Sequence, residues 1–460
     1  VEKRNQGLFE MQKAYFQSGK TKTAEWRIAQ LKKLKQMVKE HEAEFMESIY
    51  KDFGKSNFEQ FATEIGQFYE EVTLFLKKMK KWLKPEKQPM TMAFFPSRGK
   101  IIRDPYGVVL LIAPFNYPLG LTFMPLVGAI AGGNCAMIKP SEHTMHFSKL
   151  LNQLIGEYFE AGFLSVCDPS GGKDTVDELL TYQFDYIFFT GSTTVGKIIM
   201  ERAAKNLIPV TLELGGKSPC IVTEHANIKQ IVKRISWGKI LNAGQTCVAP
   251  DYVWVHESIQ EHFLEELKRE MEQQYNTIAK ENEHYCKIIN EASLKRLNSY
   301  IEEGNVYWGG KCDFQTRCLQ PAILTDVNFQ MDVMKEEIFG PVLPVLAYQK
   351  LDSVIEHMHR NPNPLALYVF TENKEEAQYL IQNIPSGGAV INDVIIHAGV
   401  PKYPFGGVGE SGVGMYHGIY SLDTFTHRRT VIERMTFTEL PFRFAPYTDR
   451  KMKFFRKYFR

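Results

Sequence analysis

The sequence predicts an α/β protein made of two doubly wound, parallel-sheet domains in series, with a small arm. Three observations carry that expectation. No charged side chain occurs between Asp104 and Lys139. Strand-like and helix-like segments alternate through two successive blocks. A proline-marked stretch near residue 90 leaves that pattern and then returns to it. The chain of 460 residues is 44% hydrophobic and 23% charged, so it can bury a large core without staples. Disorder, collagen and a disulfide miniprotein are excluded. Lys plus Arg number 55 and Asp plus Glu 53, a net charge of +2 that speaks against nucleic acid as a partner. The seven cysteines form no Cys-x-x-Cys. They fit isolated reduced thiols of a cytoplasmic protein, with neither a disulfide framework nor a metal site. Val1 to Arg4 lead into a polar amphipathic stretch with no apolar signal-peptide core.

Residues 1 to about 82 read as helices. Trp26, Leu31, Leu34, Val38, Phe45 and Ile49 recur at helical spacing. A further helix runs from about Asn57 to Leu83, ends in lysines that offset its dipole, and stops at Pro85. Residues 84–99 are the excursion, read as an arm or an edge hairpin. Strands follow at Gly107–Ala113, Ala136–Lys139 and Tyr186–Thr190, with a weaker one near Leu164–Cys167. The charge-free run is long enough to span a bilayer. Pro114, Asn116, Pro118, Pro125, Gly132, Gly133 and Asn134 interrupt it and would leave backbone groups unpaired in lipid. It therefore reads as a strand, a loop, an apolar helix from about Pro118 to Ala131 and a second strand, at the buried centre of a sheet. The second block has strands at Cys220–Val222, Tyr252–Val255, Val342–Ala347, Ala366–Phe370 and Gly388–Ile391, with helices at Ser258–Tyr275, Asp352–His359 and Lys374–Asn383. The expected division is residues 1–83 with 100–210, residues 211–415, an arm of 84–99 with 416–440, and a basic-aromatic tail of 441–460.

Four places carry chemistry. Gly191 to Lys197 follow an apolar strand and open a helix, where backbone N–H groups attract phosphate. The run is one residue short of a Walker loop. Ile198 has no hydroxyl for magnesium, which disfavours a nucleotide triphosphatase. No G-x-G-x-x-G is present at this site, so a dinucleotide there would bind by another arrangement; glycines that merely permit a tight turn explain the same spacing. Cys247 sits in a turn of small residues, as a nucleophile or a buried space-filler. Glu213, between Leu212 and Leu214-Gly215-Gly216, is either a partly buried base or a solvated loop carboxylate. Asn116 lies past the end of a buried strand, the edge that lines ligand crevices in α/β sheets. Its amide could donate to an oxyanion or simply shape a turn between prolines.

Taken together, PFNYP (114–118), KPSE (139–142), FTGSTTVG (189–196), ELGGKSP (213–219), GQTCVAPDY (244–252), EEIFGPVLPV (336–345) and PFGGVGESGVGMYHG (404–418) resemble the aldehyde dehydrogenase superfamily. Val-Ala-Pro-Asp-Tyr after the cysteine and Tyr-His-Gly near the end resemble its class 3 branch, which includes fatty aldehyde dehydrogenases. The resemblance implies a cofactor-binding domain, a catalytic domain and an oligomerisation arm. It implies NAD as cofactor, with NADP not excluded, and an aldehyde as substrate. Cys247 would form a thiohemiacetal and then a thioester, Asn116 and the Cys247 N–H would hold the oxyanion, and Glu213 would activate water. Relatives that pass the acyl group to coenzyme A lack such a glutamate, so the product would be the free acid. Lys139 and Glu142 would bind the adenosine ribose, Glu142 repelling a 2′-phosphate. Gly191, Ser192 and Gly196 would meet the pyrophosphate. Glu337 would hold the nicotinamide ribose, with Phe339 near the ring.

The branch resemblance further implies medium-chain, long-chain or aromatic aldehydes and a homodimer. The arm would include Thr424, Thr426, Thr430, Val431 and Ile432, residues suited to edge pairing. Phe115, Tyr117, Ile395, Phe405, His397 and His417 lie near the motifs, as core or as pocket. The tail lacks the long apolar anchor of membrane-bound relatives. Its cations interleave with Met452, Phe455 and Phe459 on one helical face. Such a helix can rest weakly on an anionic membrane, making the protein membrane-peripheral; a packed or solvated tail is the other reading. A non-enzymatic relative is disfavoured by the joint presence of Cys247, Glu213 and Asn116.

Overall fold

The first sheet forms where the chain carries no charge. The computed structural model describes residues 2–91, 94–280, 285–439 and 441–458. Val108–Ile112, buried throughout, pairs in parallel with Cys135–Lys139 on one side and Tyr186–Thr190 on the other. Across the sheet the order is Gly412–Val413, Val210–Glu213, Tyr186–Thr190, Val108–Ile112, Cys135–Lys139, Leu164–Val166. All pairings are parallel except that of Gly412–Val413 with Val210–Glu213. Helices Glu2–Gln17, Gly120–Gly132 and Met145–Tyr158 pack on its strands. A strand covered in this way reads as a continuous apolar run rather than an alternating one.

The strand Val210–Glu213 crosses residue 210, where the sequence suggested a boundary. The sheet continues through Glu213 before the chain enters the second sheet at Pro219. That sheet has the order Asn305–Gly309, Ala322–Thr325, Val342–Tyr348, Tyr252–His256, Pro219–Val222, Ala366–Phe370, Gly388–Ile391. It is parallel except at Asn305–Gly309.

The helices before the arm bury Leu31, Leu34, Val38, Phe45 and Ile49, as their spacing predicts, while Trp26 stays partly exposed. The helix expected from Asn57 to Leu83 has a π-helical segment, Phe61–Ile65, between Asn57–Gln60 and Gly66–Trp82. Such insertions re-aim side chains and recur at functional sites. Here Glu64 within it is fully buried.

The arm is a three-stranded antiparallel sheet of Glu86–Gln88, Ser97–Pro105 and Thr426–Arg434. The register runs from Thr426 opposite Pro105 to Arg434 opposite Ser97. Within the arm Arg103 pairs with Glu86 at 2.6 Å, and it ties the sheet to helix Gly418–Thr424 through Asp423 at 2.8 Å. The tail forms a helix, Asp449–Tyr458, with Phe454 stacked on Phe442 at 4.1 Å between centroids. Phe459, counted in its expected face, and Arg460, counted among its cations, lie outside the described residues. Among the described residues no helix is long and apolar enough to cross a membrane.

Candidate active site

Parallel strands deliver their C-terminal ends to one edge of a sheet, and the first sheet loads that edge with polar groups. Cys135–Lys139 ends at Lys139, Tyr186–Thr190 runs into Gly191, Val210–Glu213 ends at Glu213, and Val108–Ile112 leads to Asn116. Thr190 and Glu213 are register partners on adjacent strands. Glu213 is buried, and among the described residues neither of its carboxyl oxygens has a hydrogen-bond partner. Burial pushes its pKa well above the usual carboxylate range. The Thr190 hydroxyl is also unpaired and buried. Buried polar atoms without partners call for an explanation, and a site that awaits water or a ligand supplies one.

Cys247 reaches the surface in part, whereas Cys135, Cys167, Cys220 and Cys286 are buried. Burial, then the nearby Glu337 and Glu213 carboxylates, push its thiol pKa up. The resting group is therefore a thiol, in electrostatic reach of both glutamates. The turn before it carries three successive left-handed residues, Asn242 (φ 53°), Ala243 (φ 51°) and Gly244 (φ 70°). A Cβ on Gly244 would meet the Gly340 carbonyl oxygen at 2.3 Å, so the approach of the 336–340 segment demands glycine there. The Asn116 side-chain amide donates to the Gln245 carbonyl at 3.0 Å, which leaves its second N–H for a ligand. Tyr117 bonds the hydroxyl of Thr246 at 2.6 Å.

Lys139 Nζ pairs with Glu142 at 2.6 Å. Burial alone would raise the Glu142 pKa, but the bond from Lys139 and the charge behind it hold it low. Gly191 and Gly196 have packing reasons as well. A Cβ would lie 2.5 Å from the Phe189 ring at the first and 2.6 Å from Leu214 at the second. Together they let helix Thr193–Ala204 dock on the strand end. Ser192 caps that helix, accepting from the Val195 N–H at 3.4 Å, and is exposed at its N-terminus. Along the later part of that helix a cleft of ≈ 590 Å³ opens, lined by Lys173, Leu180, Ile198 and Arg202 among others and by none of the site residues named above. Ile198, unfit for magnesium, serves here as an apolar wall.

Glu337 accepts from the Gly216 N–H, and burial, then the Asp251 charge, raise its pKa to about 8. A Cβ on Gly215 would sit 1.9 Å from the Glu337 carboxylate, so the paired glycines make room for it. Phe339 (φ 47°) turns its ring edge-on to Phe115, 5.8 Å between centroids. The sequence reading missed the groups that hold this segment. Asp251 accepts from the Ile338 N–H at 2.9 Å. Lys217 pairs with Asp251 and donates to the carbonyls of Val333 at 2.9 Å and Glu336 at 3.0 Å. Their place inside the GQTCVAPDY and ELGGKSP motifs was the available signal. His397 and His417 are held neutral, with pKa values of about 4, chiefly by burial. Phe405 lies near both, 5.8 and 5.5 Å from their rings. Among the described residues no group of three or more metal-ligating side chains occurs.

This set fits a nicotinamide dinucleotide. It offers a charged pair for ribose hydroxyls at one strand end, a capped helix N-terminus at the next and a further carboxylate on Glu337. The unpartnered Glu213 carboxyl and the second Asn116 side-chain N–H are groups that substrate chemistry could use. Comparison with known proteins agrees. Residues 7–431 match the aldehyde dehydrogenase family. The chain is 44% identical over 450 residues to the 4,4'-diaponeurosporen-aldehyde dehydrogenase of Staphylococcus aureus, covering 97% of each. It is 42% identical over 424 residues to the dimeric NADP-preferring aldehyde dehydrogenase of Rattus norvegicus, covering 92% of this chain and 93% of that one. The solved substrate-bound state of Staphylococcus aureus AldH superposes with a TM-score of 0.96 at 43% identity, covering 99% of each chain. The chain belongs to the aldehyde dehydrogenase family, in its class 3 branch, and is an NAD(P)-dependent enzyme that oxidises aldehydes to acids.

Proposed function

We propose that Cys247, Glu213 and Asn116 carry the reaction on medium-chain, long-chain or aromatic aldehydes, with NAD preferred and NADP accepted. The buried, partnerless Glu213 carboxyl within electrostatic reach of the Cys247 thiol carries this reading. The Cys247 sulfur bonds the carbonyl carbon as its S–H bond breaks, and that proton passes to solvent, the one proton the overall oxidation releases. The free N–H of the Asn116 side chain and the Cys247 backbone N–H hold the oxyanion. A bound nicotinamide supplies the hydride acceptor. With the hydride gone, C=O re-forms as a thioester on Cys247. Glu213 takes a proton from water as its oxygen attacks that carbon, then returns that proton to the sulfur as the C–S bond breaks, which releases the acid and restores both the thiol and the carboxylate. Lys139, Glu142, Ser192 and Glu337 would hold the dinucleotide. The sheet that ends in Lys139 and Glu213 would be the cofactor side, and the sheet after Pro219 the catalytic side.

An aldehyde chain-length series with NAD and NADP, followed at the reduced-nicotinamide band, tests the reading. Reduced nicotinamide should appear in step with free acid; none with any aldehyde would sink it. In the same assay Glu142→Gln removes a carboxylate that a 2′-phosphate would face and leaves Lys139. The ratio of kcat/KM for NADP to that for NAD should rise about tenfold, the scale of one half-exposed charge. An unchanged ratio would place the ribose elsewhere.

The exposed nine-residue edge strand Thr426–Arg434 supports a homodimer built through the arm. The tail helix, with Met452 exposed among cations, supports weak peripheral contact with an anionic membrane. Anionic liposomes should pellet the full chain more than a 1–446 truncation, and equal pelleting removes the contact. The isolated, mostly buried thiols support a reducing cytoplasmic setting.

A further inference from the structure

Beneath the nucleophile turn lies a buried polar cluster that none of the steps above uses. Its hub is Asn242, fully buried. The side-chain amide donates one hydrogen to the Asn116 carbonyl and the other to the Gln245 carbonyl, each at 3.0 Å. Its oxygen accepts the Cys286 thiol hydrogen at 3.4 Å, and its backbone N–H goes to Glu59 at 3.2 Å. The Gln245 carbonyl that takes the Asn242 amide also takes the Asn116 amide. One side chain thus grips the main chain of the oxyanion donor, and it shares an acceptor with that donor two residues before the nucleophile.

The other flank of the Asn116 loop is pinned as well. Lys55 and Glu64 form an ion pair at 2.7 Å with no exposure on either side. Lys55 lies within 3.4 Å of the Asn116 carbonyl and 3.8 Å over the Tyr117 ring. The second Glu64 oxygen accepts from the Leu119 and Gly120 N–H groups at 2.9 and 3.2 Å. The π-helical segment supplies this glutamate. A buried network so fully paired rigidifies what it touches. An oxyanion site loses effect when its donors drift by a fraction of an ångström.

We propose that Asn242 is a positioning residue: it locks the Asn116 loop to the Cys247 turn, so that the side-chain and backbone oxyanion donors are held as one unit. This rests on the roles proposed above for Asn116 and Cys247. Asparagine suits the position twice, since it tolerates φ +53° better than most residues and its amide has two hydrogens to give.

A double-mutant cycle tests it on the full-length enzyme. Asn242→Gly keeps the left-handed backbone without strain and deletes the amide. It should lower kcat/KM about tenfold or more through kcat, with the aldehyde and NAD KM values within about twofold of wild type. Asn116→Ala alone should cost about 10²-fold or more. The double variant should be no slower than Asn116→Ala, because Asn242 acts through it. Multiplying losses, or Asn242→Gly within twofold of wild type, would overturn the assignment. Should that variant fail to fold in a thermal melt, Asn242→Asp keeps an acceptor and loses both donated hydrogens, and the same cycle applies. If Asn116→Ala leaves the rate unchanged, the oxyanion reading itself fails and takes this inference with it. If Asn116→Ala is impaired but the losses multiply, only the role of Asn242 falls.

Discussion

Cys247→Ala is expected to abolish reduced-nicotinamide formation from aldehyde, a loss on the order of 10⁴-fold or more, the scale seen when a covalent nucleophile is removed. The argument is one of position. The four cysteines at 135, 167, 220 and 286 are buried and cannot substitute. The other partly exposed thiols, Cys312 and Cys318, lie on the two strands of a short hairpin, opposite Leu319 and Asp313, that is part of neither large sheet. Alanine removes the sulfur and little else, since the turn is held by Asn242, Gln245 and Tyr117 rather than by the thiol. NAD binding, followed by protein fluorescence, should stay near wild type while turnover vanishes. Retained turnover would move the nucleophile elsewhere.

Glu213→Gln should separate the two halves of the reaction. Glutamine preserves the volume of a side chain packed at a strand end but cannot take a proton from water. Steady-state turnover should fall by about 10² to 10⁴, the range for a general base. The first equivalent of reduced nicotinamide should still form, leaving a burst without turnover. The wild-type pH profile carries the same signature. Burial raises the Glu213 pKa, so the carboxylate form that accepts a proton from water gains population only as pH climbs through that raised value. Acid release in the wild type should therefore rise with pH, and that limb should be lost in Glu213→Gln. Unchanged steady-state turnover in the variant would remove Glu213 from the role of base.

The fold was legible where burial is complete on both faces. Val108–Ile112 and Tyr186–Thr190 announce themselves as uninterrupted apolar runs. Val210–Glu213, Ala322–Thr325 and Asn305–Gly309 did not. The first two have four residues each, and the third is mostly exposed, so none shows a periodicity that a window could detect. In the site, Lys139 and Glu142 were marked by the KPSE motif of the resemblance, and their ion pair, three residues apart, came from the structure. The network under the nucleophile was not legible. Asn242 and Glu59 lie 183 residues apart, and Lys55 with Glu64 reads in sequence as an ordinary surface pair. Burial of both charges is a property of the tertiary fold. It depends on a π-helical segment that no pattern in residues 61–65 declares. The glycines at 191 and 196 stood out in sequence as a candidate phosphate loop or a tight turn, whereas their contacts with Phe189 and Leu214 required the packed strand ends.

The most direct test is the mass of the Cys247 peptide after Glu213→Gln enzyme is mixed with NAD and an aliphatic aldehyde and quenched in acid. An acyl group attached to Cys247, in near-stoichiometric amount with the burst of reduced nicotinamide, is the predicted result. Free acid accumulating while Cys247 remains unmodified would contradict the thiol-and-carboxylate account at its root.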